Sequence, residues 1–456
     1  MGFAGVGFMV AVVTLGQTEV GWDDVKALLS DDKETREEAM AVLEASGGPS
    51  LVAGINDLMY YNFVTRNTLG ASKLSTLMES LTGEEVGDNP RDGWVEWIGR
   101  HEEIAPKKGY LAFKRWVFER YDPAFRGYFN PRFTFRIRPE EIEWGGVPKD
   151  GIPALDQPGF IAAAEQDYLD DNDRVFGVYL NGVAKAYPHI IMDPHEMCND
   201  LVGGEPVSLS YCTLCGSGVL YRGAHSSRER GKPFTFGSSG LLYRSNKLMY
   251  DRPTNSLWNN LTGEPVAGRL EESGIKLELA PLVVSTWGEW KKRHPETLVL
   301  DRENTGFARD YEVSPYADYF ASDKTMFPVW LRSEALATKQ RVFTLVLSGR
   351  PKAYPVDILK EERITHDTLG SVDIVLLTNA QSGAVRAYRT KARHFVLVSD
   401  TELREEPPGI QWTVHEDRLE SEDGSVLERV AGHDAFWFGW YAFYPSTEIY
   451  EERERP

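Results

Sequence analysis

The chain has 456 residues, more than one hydrophobic core usually organises, so two or three domains are expected. Its 42% hydrophobic and 12% aromatic content describes a folded globular protein. Sixty-nine acidic against fifty basic residues give a net charge of −19, a surface that repels phosphate backbones and argues against a nucleic-acid partner.

Phe3 to Leu15 is an uncharged apolar run, too short to cross a bilayer. It has the length of a signal-peptide core, with Thr14 and Gly16 as small residues before a cut, although no Lys or Arg precedes it. A signal-like segment over 1–21 and export to the periplasm or exterior are therefore expected. A buried N-terminal segment is the alternative, and a cytoplasmic location stays open.

A helical domain is expected over 22–133. Asp23 to Leu43 places Val25, Leu28, Leu29, Ala39, Met40 and Leu43 at helical spacing, and Gly47-Gly48-Pro49 ends the run. Ser50 to Leu69, Lys73 to Thr82 and Gly93 to His101 read the same way, resembling a fragment of an α-solenoid without a strict period. The aromatic-rich stretch from Gly109 to Phe129 reads as packing between domains rather than as a cofactor box.

From Thr134 the pattern turns to short apolar runs between Gly, Asp, Asn and Pro turns. Val175–Leu180 and Val183–Tyr187 flank Asn181-Gly182, a pair suited to a tight hairpin because both residues tolerate positive φ. The expected fold class is α+β: a helical N-terminal domain, then a larger β-rich domain with an internal duplication. Lys185-Ala186-Tyr187-Pro188 and Asn199-Asp200-Leu201-Val202-Gly203 in one stretch are matched by Lys352-Ala353-Tyr354-Pro355 and His366-Asp367-Thr368-Leu369-Gly370 in another. The duplicated units are expected over 134–300 and 301–456.

Two of the three cysteines form Cys212-Thr213-Leu214-Cys215, after the strand-like run Pro206 to Ser210. Three clustered cysteines are too few for a disulfide framework and point to a site. A thioredoxin-like pair sits at a helix start, whereas here Gly216-Ser217-Gly218 leads into strand-like Val219-Leu220-Tyr221, so a tight turn between strands is expected. In the second unit Asn379 to Gly383 replaces the pair. His195 and Cys198, three apart, could join Cys212 and Cys215 as ligands for tetrahedral zinc or soft copper. His366 falls opposite Asn199 in the repeat and is a further candidate ligand, reaching the site across the pseudo-dyad. The competing reading is a buried pair of free cysteines, with His195 satisfied by a core hydrogen bond.

Other motifs are read structurally. Asp193, Glu196 and Asp200 bracket His195 and could orient its ring, or serve as caps and turns. His189 and His294, beside prolines, read as surface or turn residues. Phe236-Gly237-Ser238-Ser239-Gly240 reads as a turn, and Trp258, Trp287 and Trp290 as core anchors.

Ile152-Pro153-Ala154-Leu155-Asp156, Ala186-Tyr187-Pro188, His195-Glu196, Asn199-Asp200, Tyr211-Cys212, Gly216-Ser217, Gly240-Leu241-Leu242-Tyr243, Met249-Tyr250-Asp251-Arg252, Ser256-Leu257-Trp258 and Thr286-Trp287 together resemble the family called domain of unknown function 3179, over residues 140 to 450. The resemblance implies no established reaction. Some members look like selenoproteins, with selenocysteine at the position matching Cys212, which implies redox chemistry or soft-metal binding there. Cys215 matches a less uniform position. Cys198 departs from the usual aliphatic residue, which weakens the four-ligand set and favours Cys212 with His195. The helical N-terminal part is similar to extensions of members that are often exported.

The expected function is a thiol-redox or metal-binding protein and a candidate oxidoreductase. Cys212 is the reactive thiolate or ligand, Cys215 its partner and His195 a ligand or base. Copper or zinc is the expected cofactor and no nucleotide cofactor is expected. Partners are a small molecule or a protein, with no transmembrane span and with peripheral membrane association as a further expectation. The alternative is a non-catalytic extracytoplasmic module binding protein or glycan.

Overall fold

A computed structural model describes residues 20–65, 70–223 and 233–452; the apolar run Phe3 to Leu15 lies outside them. The helices fall where the periodicity places them, with one division. The expected helix from Asp23 breaks into Trp22–Ala27 and Lys33–Ser46 because Asp32 accepts a hydrogen bond from Thr35 N and starts a new helix. Val52–Thr65, Ala71–Thr82 and Pro90–Arg100 follow, the last with proline in its first turn, where no backbone donor is lost. No helix among the described residues is long and apolar enough to cross a membrane.

The chain forms two compact units. One contains residues up to 85 with 104–110, and the other 86–103 with everything from 111 onward. The helical stretch expected over 22–133 is thus shared between them. Its aromatics from Phe113 onward belong to the β-rich unit, where Tyr121 stacks on Trp144 with ring centroids 4.3 Å apart.

The β-rich unit is built twice from one plan. Arg174–Leu180 pairs antiparallel with Val183–Pro188, as Arg341–Leu347 pairs with Arg350–Pro355. The hairpins turn on Asn181-Gly182 and Ser348-Gly349, all four at positive φ. A later strand adds antiparallel to one side of each hairpin (Val283–Thr286; His433–Phe436), and another adds parallel to the other side (Leu298–Leu300; Glu448–Ile449). Between those two late strands lies a short helix, Trp287–Arg293 or Trp437–Tyr441. Its second tryptophan, Trp290 or Trp440, donates Nε1–H to a threonine hydroxyl, Thr297 or Thr447, at 2.9 Å in both halves. Trp258, Trp287 and Trp290 are fully buried, as expected of core anchors.

The shared Lys-Ala-Tyr-Pro motif has a structural cause. Alternate strand residues share a face, so Lys185 and Tyr187 both reach Asp200, at 2.7 and 2.6 Å. Lys352 and Tyr354 reach Asp367 in the same way, at 2.6 and 2.8 Å. Asp200 is therefore committed to this triad and not to His195. Each half continues into a three-stranded meander: Met197–Val202, Glu205–Cys212 and Ser217–Arg222, matched by Ile364–Leu369, Val372–Thr378 and Val385–Arg389.

Two local expectations are corrected. Phe236 to Gly240 is not a turn but the start of the buried strand Phe236–Tyr243. Its glycine and serine content reflects close packing and a bulge: a Cβ on Gly237 would lie 2.5 Å from Asp150, Gly240 has φ +79°, and the register shifts across Leu248/Met249. His189 is half-buried rather than a surface or turn residue, whereas His294 does stand at a turn, its carbonyl accepting from Thr297 N–H at 2.9 Å. His189 stacks on Phe176, and His294 lies against Trp290 with its Nε2 3.4 Å from Glu416.

Candidate functional site

The Cys-x-x-Cys segment forms the expected turn. Cys212 closes the strand pair opposite Ser217, and the loop is held by Cys215 N–H to Cys212 O and Gly216 N–H to Thr213 O, both 3.2 Å. Gly216 has φ +56° and abuts the Phe436 ring, so any side chain there would be strained and would collide. Phe436 N–H donates to Cys215 O at 2.7 Å. A Cβ on Gly439 would lie 2.7 Å from Cys215 Cβ. The turn belongs to the first half, and the second half packs against it.

Both thiols are free and buried, with Sγ of Cys215 and Cys212 lying 3.4 and 3.9 Å from the carbonyl oxygen of Ser245. Burial raises the cost of ionising Cys212. Hydrogen bonds from the Cys215 thiol and from the backbone N–H groups of Lys247 and Cys215 outweigh it, and hold Cys212 below the ordinary thiol range. Cys215 moves the other way: burial and the neighbouring Cys212 sulfur push it well above that range. The surroundings therefore favour ionisation of Cys212 over that of Cys215.

Cys212 borders a cavity of about 60 Å³ shared with Glu196, Lys247 and Tyr316. Glu196 follows the short helix His189–Met192 at φ +56°, an unusual conformation for a glutamate, fixed by Tyr211 N–H donating to its carbonyl at 2.8 Å. Its Oε1 accepts from Thr213 Oγ1 and Tyr316 O–H, both at 2.9 Å, while burial raises its carboxyl pKa. Lys247 enters on the strand Asn246–Asp251, just past a two-residue turn in which Arg244 and Ser245 take positive φ. Its ammonium donates to the Glu196 carbonyl and sits 3.9 Å from Glu196 Oε2; burial lowers its pKa, while Glu196 and Cys212 oppose that shift.

The remaining predicted residues lie elsewhere. His195 Nδ1 donates to Pro153 O at 2.8 Å, which leaves Nε2 to accept from the Tyr311 hydroxyl at 2.7 Å. Burial lowers its pKa to about 4, so the ring is neutral with both nitrogens engaged. Asp193 does not orient it; burial raises Asp193 to about 6. Cys198 is on a strand rather than a helical turn, and packs with Leu155 and Leu209 in an apolar cluster separate from the one holding Cys212 and Cys215. His366 accepts from Phe395 N–H at 3.0 Å and stacks on His394, within the second half. A copper or zinc ion would need ligands beyond two sulfurs. Among the described residues no three His, Cys, Asp or Glu side chains are arranged to hold a metal, so this ligand set does not fit one.

The sequence reading missed Lys247, Tyr316 and Gly439, and gave Glu196 a different task. Lys247 carried a usable signal, since a lysine inside an otherwise buried strand rarely occurs without a partner. Tyr316 and Gly439 carried none, because only the packing brings them to the turn.

Fold and site define a duplicated β-protein with a buried thiol pair in one of two equivalent turns. A family model described as protein of unknown function, DUF3179, matches residues 149–447, and the chain belongs to that family. No curated protein and no solved structure matches it.

Proposed function

We propose that this is a thiol-redox protein in which Cys212 and Cys215 cycle between dithiol and disulfide, with Cys212 as the attacking thiolate. The observation that carries this reading is geometric: two free, buried thiols share one tight turn, and the first of them, Cys212, borders a cavity together with Glu196, Lys247 and Tyr316. A low-pKa thiolate beside a protonated thiol is the arrangement that lets one sulfur attack and the other resolve the intermediate. His195, fully engaged by Pro153 and Tyr311, has no step in this reading.

The test is equilibration of the full-length protein in redox buffers of 2-mercaptoethanol and its disulfide, followed by mass spectrometry. A two-proton mass loss confined to the peptide with Cys212 and Cys215 is expected, and Cys212→Ser removes it. If no disulfide forms at any poise and Cys212 resists alkylation in the native protein, the redox reading is wrong. A non-catalytic binding module predicts a different outcome: Cys212→Ser would leave every functional readout unchanged.

A further inference from the structure

We propose that the Cys212 cavity reduces hydrogen peroxide and short-chain hydroperoxides, a substrate class that rests on the thiol-redox reading above. Access supplies the first reason. Cys212 is 1% and Cys215 0% exposed, so the disulfide of another protein has no direct approach to either sulfur. A molecule entering the cavity does. One water needs about 10–15 Å³ of such space, so a cavity of about 60 Å³ accommodates a molecule of only a few heavy atoms.

The lining supplies the second reason. Cys212, Glu196, Lys247 and Tyr316 gather polar groups at one part of the wall, while Ile152, Leu241, Leu242, Met326 and Phe327 make the rest apolar. Met326 is 47% exposed and marks the outer side. Cleaving an O–O bond needs a thiolate at one oxygen, and a positive charge and a proton at the other. Glu196 Oε1 already accepts two hydrogen bonds, which leaves Oε2, 3.9 Å from the Lys247 ammonium, as the oxygen free to hold the proton this step needs.

The step balances. The Cys212 thiolate attacks the terminal peroxide oxygen, the S–O bond forms, and the O–O pair departs on the distal oxygen. That oxygen is stabilised by the Lys247 ammonium and takes the Glu196 proton, leaving as water or alcohol. Cys212 is then a sulfenic acid. Cys215 loses its proton and attacks Cys212 sulfur, the S–S bond forms, and hydroxide leaves as water with a proton. Two thiols have delivered two electrons to one peroxide. A thiol small enough to enter the cavity, of the size of 2-mercaptoethanol, returns the pair to the dithiol.

The experiment is single-turnover oxidation of the reduced full-length protein by hydrogen peroxide, cumene hydroperoxide and oxidised glutathione. Hydrogen peroxide is expected to react about 10²-fold faster than with free cysteine, the share a positioned acid contributes. Cumene hydroperoxide is expected to react at least about tenfold slower than hydrogen peroxide, being too large for the cavity. Cys215→Ser accumulates a dimedone-trapped sulfenic acid at Cys212. Glu196→Gln keeps the hydrogen-bonding shape and lowers the peroxide rate about 10²-fold. Its iodoacetamide alkylation rate stays within a few fold, because iodide leaves without a proton; a merely structural role would move both rates. If Glu196→Gln fails to fold, the wild-type rates decide. A peroxide rate no greater than that of free cysteine overturns the proposal. If the disulfide still equilibrates with 2-mercaptoethanol, the thiol-redox reading survives that result; if it does not, both fail.

Discussion

The turn at residues 212–216 and the turn at 379–383 occupy equivalent places in the two meanders and have opposite contents. Each ends in a glycine at positive φ, Gly216 or Gly383. Each is preceded across the meander by a residue forced to positive φ, Glu196 or Arg363, whose carbonyl accepts from the strand before the turn. In the first half the turn carries Cys212 and Cys215. In the second it carries Asn379 and Ser382, where Asn379 Oδ1 accepts from Gln381 N, Ser382 N and Ser382 Oγ. One turn presents two thiols, and the other spends its polar groups on holding itself.

The opposing helices complete the contrast. Gly439 leaves room for Cys215, while its counterpart in the first half, Glu289, lies 3.1 Å from Arg386. Arg386 and Arg293 also reach Glu416, at 2.7 and 3.0 Å. Burial alone would raise the Glu416 carboxyl, but the surrounding arginines and His294 hold it well below the usual carboxylate range. Comparing the two halves therefore separates the shared scaffold from the positions peculiar to the thiol-bearing turn. The Lys-Tyr-Asp triads and Trp-x-x-Trp helices are common to both, and positions 196, 212, 215 and 439 differ from their counterparts 363, 379, 382 and 289.

Four experiments break or sharpen that contrast. Cys212→Ser should abolish disulfide formation entirely while the thermal transition barely moves, read by mass spectrometry and calorimetry. Glu416→Gln should cost about 3–5 kcal/mol, because it strands buried arginines, yet leave Cys212 alkylation unchanged. This stabilisation is fully present above the unfolded carboxyl pKa and is lost as pH falls through the lower folded value. Denaturant titrations at pH 7 and pH 3 check both statements, and a shifted alkylation rate would show that the halves are coupled. Gly439→Ala should cost about 1–3 kcal/mol through overpacking against Cys215 and should slow disulfide closure. The smallest effect concerns placement. The double variant Asn379→Cys with Ser382→Cys should yield thiols that lose reactivity below their ordinary pKa, about 8.5. Cys212 should hold its alkylation rate to lower pH and decline only beneath its own depressed pKa. Equal profiles would mean that the turn alone, and not its surroundings, sets the ionisation.

The sequence made the local parts legible. Asn181-Gly182 announced its hairpin, Gly216-Ser217-Gly218 ruled out a helix after Cys215, and the repeated Lys-Ala-Tyr-Pro announced the duplication. These are properties of a few neighbouring residues. The cavity is not. Lys247, Tyr316 and Gly439 lie 35, 104 and 227 residues beyond Cys212 in the chain, and only sheet packing gathers them. The ligand role expected of His195 and Cys198 misled for a related reason. A spacing of three brings side chains together on a helix, but His195 lies in a turn and Cys198 on the strand Met197–Val202, so no helical face joins them. Phe236 to Gly240 was misread because small residues chosen for close approach look like turn residues when their neighbours are unknown.

The hydrogen bond from Phe436 to Cys215 has a consequence for inheritance. The copy that holds the cysteines leans on the copy that lacks them for the surface closing their turn. A recombination event that parted the two copies would pass on two scaffolds, neither with an enclosed thiol pair. The smallest unit that keeps this turn enclosed is the whole duplication, and what the cysteine-free copy supplies to it is cover.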